Sequence, residues 1–311
     1  LKTSRGRVPL TPLTSESWYG MVVDHAVSRS VRDTALLLDL THGADPLSPY
    51  AAREPKGAFT AAAARDPGRL SLAVYRKSPL GLPISAETIE ALDTAVALAR
   101  EGGHTVEEID LPYIGRDFIA EFCKSVASAV AGMMRAEAKR VGRPVTGEVE
   151  RATRVLGRLG EMLSAGEVYD AVQRLNATAR QMIEDTARFD AVLMPVIAHP
   201  PLACGAMDPK GADELVENVL DKLHLTGLLR IKSFFGQLMD KSLWFTPWPA
   251  IHNVSGQPSI ALPVHVTAGG LPLGIQAAGR PGDEETLLSL AAQMEKISGW
   301  LKRRAPLKVP G

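Results

Sequence analysis

The apolar positions along the chain change period in a way that separates strands from helices. Leu70, Leu72 and Val74 recur at every second position, the period of a strand. Ile89, Leu92, Val96 and Ala99 then recur three or four apart, the stripe of an amphipathic helix. Ser85 is placed to cap that helix and Gly102-Gly103 to stop it. Alternation returns over 106–111. Strand, helix and strand in about forty residues predict a βαβ crossover with parallel strands.

Upstream, Ser30 and Asp33 have the spacing of a capping box before a short helix that ends near Gly43. Residues 44–69, rich in Pro, Ala and Asp, read as an irregular surface connection. Downstream, 117–141 and 148–188 read as helices separated at Gly142-Arg143-Pro144, because proline cannot continue a helix interior. Residues 191–194 (AVLM), closed by Pro195, read as a buried strand. Residues 213–240 are predicted helical. The block 260–263, a Gly269-Gly270 turn and 271–277 give two more strands. Asp283 caps a last helix with Leu287, Leu290, Ala291 and Met294 inward. This alternation predicts an α/β fold.

Composition narrows the functional classes. The 311 residues are 45% apolar and 23% charged, with 35 basic and 35 acidic side chains. That balance argues against a nucleic-acid surface or a polybasic membrane anchor. No apolar run approaches the ~20 residues of a membrane span. Two cysteines, Cys123 and Cys204, are too few for a disulfide framework and fit free thiols in a reducing cytosol. The first residue is Leu, and the simplest reading is that the sequence starts partway through a longer protein.

Local catalytic signatures are missing. The sequence has no dinucleotide or P-loop glycine pattern, no H-E-x-x-H, no C-x-x-C, no G-x-S-x-G and no S-x-x-K. The seven histidines lie far apart. Cys123, in a helical stretch beside Phe122 and Val126, reads as a buried structural thiol rather than a nucleophile. Lys2 and Ser4 are close in sequence, but nothing fixes the hydrogen bond that a base and nucleophile need. His199 follows the strand that ends at Pro195, on the side where α/β folds hold ligands. The cluster Trp244, Phe245 and Trp248 suits either an apolar pocket wall or the core. The expectation is that Ile197 and His199 share one substrate-binding cavity with Trp244, Phe245 and Trp248. Residues 253–258 (NVSGQP) read as a tight turn in which Gly256 takes φ > 0 and Asn253 and Gln257 bond to backbone groups.

Four landmarks, in order, carry a resemblance. Residues 1–8 (LKTSRGRV) look like the stretch that follows the active-site serines of amidase-signature enzymes. Residues 28–39 (SRSVRDTALLLD) are similar to that family's next helix. Residues 189–195 (FDAVLMP) match its D-x-x-x-x-P strand. Residues 253–263 (NVSGQPSIALP), followed by 270–276 (GLPLGIQ) and the Glu284-Glu285 helix, are the most specific match. The spacing is closest to bacterial amidases of the 6-aminohexanoate cyclic dimer hydrolase type. The sequence departs from the family at 23–29 (VDHAVSR) and at His265.

The resemblance implies the C-terminal portion of the amidase signature fold, a mixed sheet covered by helices on both faces. It implies one domain over 1–311 that lacks its N-terminal catalytic segment. It also implies hydrolysis of a small linear or cyclic amide by a Ser–cis-Ser–Lys triad in the full-length parent, with no metal or organic cofactor. The triad and the oxyanion loop precede residue 1, so no catalytic residue is carried over and the chain alone is expected to be inactive. A cytoplasmic location and a homodimer of the full-length protein are further expectations, with no nucleic-acid or membrane partner. The competing reading is a non-catalytic amidase-like scaffold or an amidotransferase-type subunit.

Overall fold

A computed structural model describes residues 1–207 and 232–304. Its centre is a five-stranded mixed sheet: β1 (Ser71–Val74), β2 (Thr105–Glu108), β3 (Ala191–Pro195), β4 (Ser259–Val266) and β5 (Pro272–Gly279), in the order β2-β1-β3-β5-β4. Strand β1 lies parallel to both β2 and β3, and β5 runs antiparallel to β3 and β4. The predicted βαβ crossover is present, with helix α3 (Ala86–Glu101) between β1 and β2. The Ser85 hydroxyl accepts the Thr88 N–H at 3.2 Å as its cap. Gly270, at φ +78°, makes the predicted β4–β5 turn.

Both faces of the sheet are covered, because successive side chains point to opposite sides. Leu72, Val74, Leu193, Ile275 and Ala277 pack on one face against α3, helix α1 (Val31–Thr41), helix α2 (Phe59–Ala64) and helix α9 (Glu284–Ser298). Ala73, Tyr75, Val192 and Met194 pack on the other against helices α4 (Arg116–Val141), α6 (Ala165–Thr186) and α8 (Pro249–Ser255). Helix α5 (Arg151–Met162) lies on α4, where Gly160 comes so close that an added Cβ would sit 2.1 Å from the Ala127 carbonyl oxygen. Helix α7 is Lys232–Leu243.

The sheet's two edges differ. On β2, Glu107 pairs with Arg188 and Glu108 with Arg76. Such charges blunt an edge. Beside β4 runs a groove of about 510 Å³ lined by Leu1, Val31, Ile260, Leu262, Leu271 and Trp300, among others.

Several sequence expectations need correction. The stretch 44–69 is not wholly irregular: α2 lies within it, with Phe59 and Ala62 buried. Its free N–H groups are met by a distant side chain, since Asp39 of α1 accepts from Phe59 at 2.6 Å and Thr60 at 3.0 Å. The helix predicted over 148–188 is two, α5 and α6. Leu163 is extended, and Ser164 and Glu167 form a complete capping box that restarts the chain. At Ser30 the cap is the hydroxyl accepting the Asp33 N–H at 3.0 Å. The second strand stops at Glu108 rather than Leu111. Residues 253–255 close α8, and Gly256 ends it at φ +71°. Of the helix predicted over 213–240, residues 213–231 lie outside the described residues; 232–240 are helical.

Candidate functional site

The C-terminal ends of parallel strands are where open α/β sheets hold ligands. Here the segments after β1 and β3 meet a third. The Ser85 N–H donates to the Ala198 carbonyl at 2.9 Å, and the Ala198 N–H donates to the Phe245 carbonyl at 2.8 Å. This stitching sets the His199 ring edge-on to Trp244, centroids 5.1 Å apart, and Trp244 lies 5.6 Å from Phe245. All three rings are half-buried. Arg116 holds the assembly from α4, donating to the Leu80 carbonyl at 3.0 Å and pairing with Asp240 at 2.8 Å.

The other two proposed pocket residues sit elsewhere. Trp248 is fully buried in the cluster on the α4/α6/α8 face, and its indole N–H donates to the Lys77 carbonyl at 3.0 Å. Ile197 packs against the cluster on the opposite face. The structure therefore joins His199, Trp244 and Phe245, and sends Ile197 and Trp248 to opposite sides of the sheet.

A second polar assembly surrounds the first residues of the chain. Lys2 and Ser259 exchange backbone hydrogen bonds at 2.7 and 2.9 Å, which lays the chain along the β4 edge. The Ser4 N–H donates to Glu284 at 2.7 Å, and the Ser4 hydroxyl accepts the Gly282 N–H at 2.9 Å. Arg7 donates to Glu284 from Nε at 3.2 Å and Nη2 at 3.0 Å. Arg5 caps the end of α8, donating to the carbonyls of Asn253 and Val254 and to that of Gly20. Gln257 donates to the Gly279 carbonyl at 2.9 Å, as its position in the motif suggested, whereas Asn253 enters through its own carbonyl. Gln276 links the Ser259 hydroxyl to the Pro195 carbonyl.

Burial sets the protonation states here. Burial and the nearby Arg5 push the Lys2 amine down to about 7. Burial, with Lys2 adding to it, takes His252 down to about 3, so its ring is neutral. Burial alone would raise Glu284; the Arg7 guanidinium and the Ser4 hydrogen bonds outweigh it and hold the carboxyl below the usual glutamate range. Lys2 donates to the Thr3 carbonyl at 2.8 Å while Ser4 is engaged with Gly282, so the two do not form a base–nucleophile pair. Cys123 is half-buried, and burial pushes its thiol up to about 12, which fits the packing role read from its helical neighbours.

Other features were not anticipated. Trp18 and Tyr19 both hold positive φ, at 50° and 57°, an uncommon state for aromatic residues. The Tyr19 hydroxyl shares a hydrogen bond with Ser128 of α4 at 2.7 Å. A cleft of about 1080 Å³ lies among α4, α5, α6 and α7. Its Glu121 accepts from both Lys124 and Arg174. Among the described residues no group of three or more His, Cys, Asp or Glu could hold a metal ion. No helix among them is long and apolar enough to cross a membrane.

Comparison with known proteins places this arrangement. AmiB2 of Mycobacterium tuberculosis (strain ATCC 25618 / H37Rv) is 30% identical over 312 residues, covering 98% of this chain and 58% of that protein. The 6-aminohexanoate-cyclic-dimer hydrolase of Pseudomonas sp. (strain NK87) is 28% identical over 324 residues, covering 100% of this chain and 61% of that enzyme. A solved structure of 6-aminohexanoate cyclic dimer hydrolase superposes with a TM-score of 0.82 at 25% identity, over 97% of this chain and 61% of that one. The chain thus spans about three fifths of the length of these relatives. The Amidase family profile matches residues 1–288, through the first-residue segment, the D-x-x-x-x-P strand and the 253–276 motif alike, and the chain belongs to that family.

Proposed function

We propose that this chain is the C-terminal part of an amide hydrolase acting on small linear or cyclic amides. The observation that carries the reading is continuous: a family match over residues 1–288 joined to a fold likeness over 97% of the chain. In the whole protein the reaction would follow the family's serine chemistry. A lysine draws a proton through a middle serine, and the outer serine attacks the amide carbon. Backbone N–H groups hold the oxyanion, and the C–N bond breaks to leave an ester that water hydrolyses.

This chain contributes the sheet that fixes the site and part of its walls. His199, Trp244 and Phe245 supply an aromatic surface suited to an aryl or alkyl amide, since ligand pockets are largely apolar with a few placed polar groups. Ile197 and Trp248 lie outside that surface, in the two core clusters. Among the described residues Lys2 and Ser4 bond to separate partners. On this reading the chain alone is expected to be inactive. Incubating it with aryl and alkyl amides tests this directly. The expected result is amine release at background. Turnover that survives a Lys2→Ala/Ser4→Ala double change would reveal a nucleophile elsewhere in the chain.

A further inference from the structure

The cleft among α4, α5, α6 and α7 has walls of two kinds. Phe118, Leu159, Met162, Leu163, Leu175 and Phe235 give it an apolar lining, and its volume of about 1080 Å³ is ample for a small organic molecule. Set in that lining is a charged group. Glu121 of α4 has a side chain only 11% exposed. Its Oε1 accepts from Lys124 Nζ at 3.2 Å and from Arg174 Nη1 of α6 at 2.8 Å, and its Oε2 accepts from Lys124 Nζ at 3.1 Å. Two cations therefore share one carboxylate, and the Arg174 side chain is 62% exposed, with N–H groups left over. The acids nearby do not absorb the excess. Asp170 stands 3.9 Å from Arg174 Nη2, outside hydrogen-bond reach. Glu167 accepts the N–H and the hydroxyl of its own cap residue Ser164, both at 2.8 Å. Asp117, the remaining acid of the lining, makes no ion pair among the described residues.

We propose that this cleft binds a small organic carboxylate with an apolar body. The carboxylate bridges Lys124 and Arg174, and the body lies against the phenyl and aliphatic side chains of the lining. A guanidinium fork suits a carboxylate through its paired N–H groups, and the lysine adds a point charge. Glu121 has two effects on such a ligand. It holds both cations at the wall, and it repels the anion they receive. A cationic molecule with the same body gains less, because the buried carboxylate is already engaged by Lys124 and Arg174. The inference stands apart from the proposed amide hydrolysis, since it concerns binding without turnover.

The test is calorimetric titration of the 311-residue chain with phenylbutyrate, phenylbutylamine and phenylbutanol, which share a body and differ in head group. The expected result is saturable binding of phenylbutyrate at a single site, at least about tenfold tighter than either of the others, the scale set by hydrogen bonds to charged groups. Its addition should slow hydrogen exchange in peptides covering 117–124 and 171–178. Arg174→Gln and Lys124→Gln should each weaken phenylbutyrate, the arginine change by about tenfold, and leave phenylbutanol unaltered. Glu121→Gln should act in the opposite sense and tighten phenylbutyrate, a direction that loss of structure would not produce. Circular dichroism of each variant should match the parent. Four results would overturn the proposal: no saturable phenylbutyrate binding at millimolar concentration, equal binding of the three compounds, phenylbutyrate affinity unmoved by Arg174→Gln, or affinity lowered by Glu121→Gln.

Discussion

Replacing Glu284 with Gln removes a charge that the fold has closed around. The Glu284 side chain is 0% exposed and its partner Arg7 is 3% exposed. The carboxylate accepts three hydrogen bonds, from the Ser4 N–H and from Arg7 Nε and Nη2. These tie the start of the chain to the first turn of α9, where a negative charge also suits the helix N-terminus. A glutamine keeps an acceptor for Ser4 but turns an NH₂ toward the guanidinium, leaving Arg7 buried without a counter-charge. Breaking a buried pair in this way costs about 3–5 kcal/mol. Against a whole-domain stability of ~5–15 kcal/mol, that is a large fraction.

The measurement is urea denaturation of both proteins, paired with hydrogen exchange of peptides spanning 2–8 and 280–286. Both regions should lose protection together in Glu284→Gln. Arg7→Lys, which keeps the charge but loses the two-pronged geometry, should lose less. The pH dependence has a definite sign. Glu284 is held below its unfolded value, so its contribution is fully present above the unfolded pKa of about 4.3 and is lost as pH falls through the folded one. A Glu284→Gln protein within about 0.5 kcal/mol of the parent, a typical surface effect, would refute this reasoning.

Three smaller perturbations test the packing. Gly160→Ala should cost about 1–3 kcal/mol, because its Cβ would meet the Ala127 carbonyl oxygen at 2.1 Å. Gly147→Ala, with open space around it, should leave the melting temperature nearly unchanged as a control. Ser164→Ala should cost about 1 kcal/mol and raise hydrogen exchange over the first turn of α6, where the capping box forms. A maleimide at neutral pH should modify exposed Cys204 and spare Cys123, whose thiol stays protonated; peptide mapping that finds equal labelling would contradict the packing assigned to Cys123.

What was legible in the sequence was local in origin. The β1–α3–β2 unit declares itself through a change of period, and Ser85 and Gly102 mark the helix at both ends. Strand β3 is visible because burial on both faces makes it continuously apolar. What was not legible depends on distant partners. Helix α2 is short, and its cap comes from Asp39, twenty positions back. The Arg7–Glu284 pair spans 277 positions, and neither residue signals the other. The break between α5 and α6 did carry a local signal, Ser164 followed by Glu167, but the apolar stripe running through it masked the cap. In the aromatic cluster, the meeting of His199 with Trp244 was expected from the ligand-side position of the first and the aromatic character of the second. The side to which each ring turns was not. Trp248 finds its hydrogen-bond partner at Lys77 after β1 and is drawn into the core, while Trp244 stays at the rim against His199.

Amide hydrolysis by the purified chain bears most directly on the proposal that these residues form the body of an amidase-family site without supplying its nucleophile. Release of amine from aryl and alkyl amides, followed at neutral pH under multiple-turnover conditions, should stay at background for the chain and for its Lys2→Ala/Ser4→Ala variant alike. Sustained turnover by the chain, whether or not it survives the double change, would contradict the account.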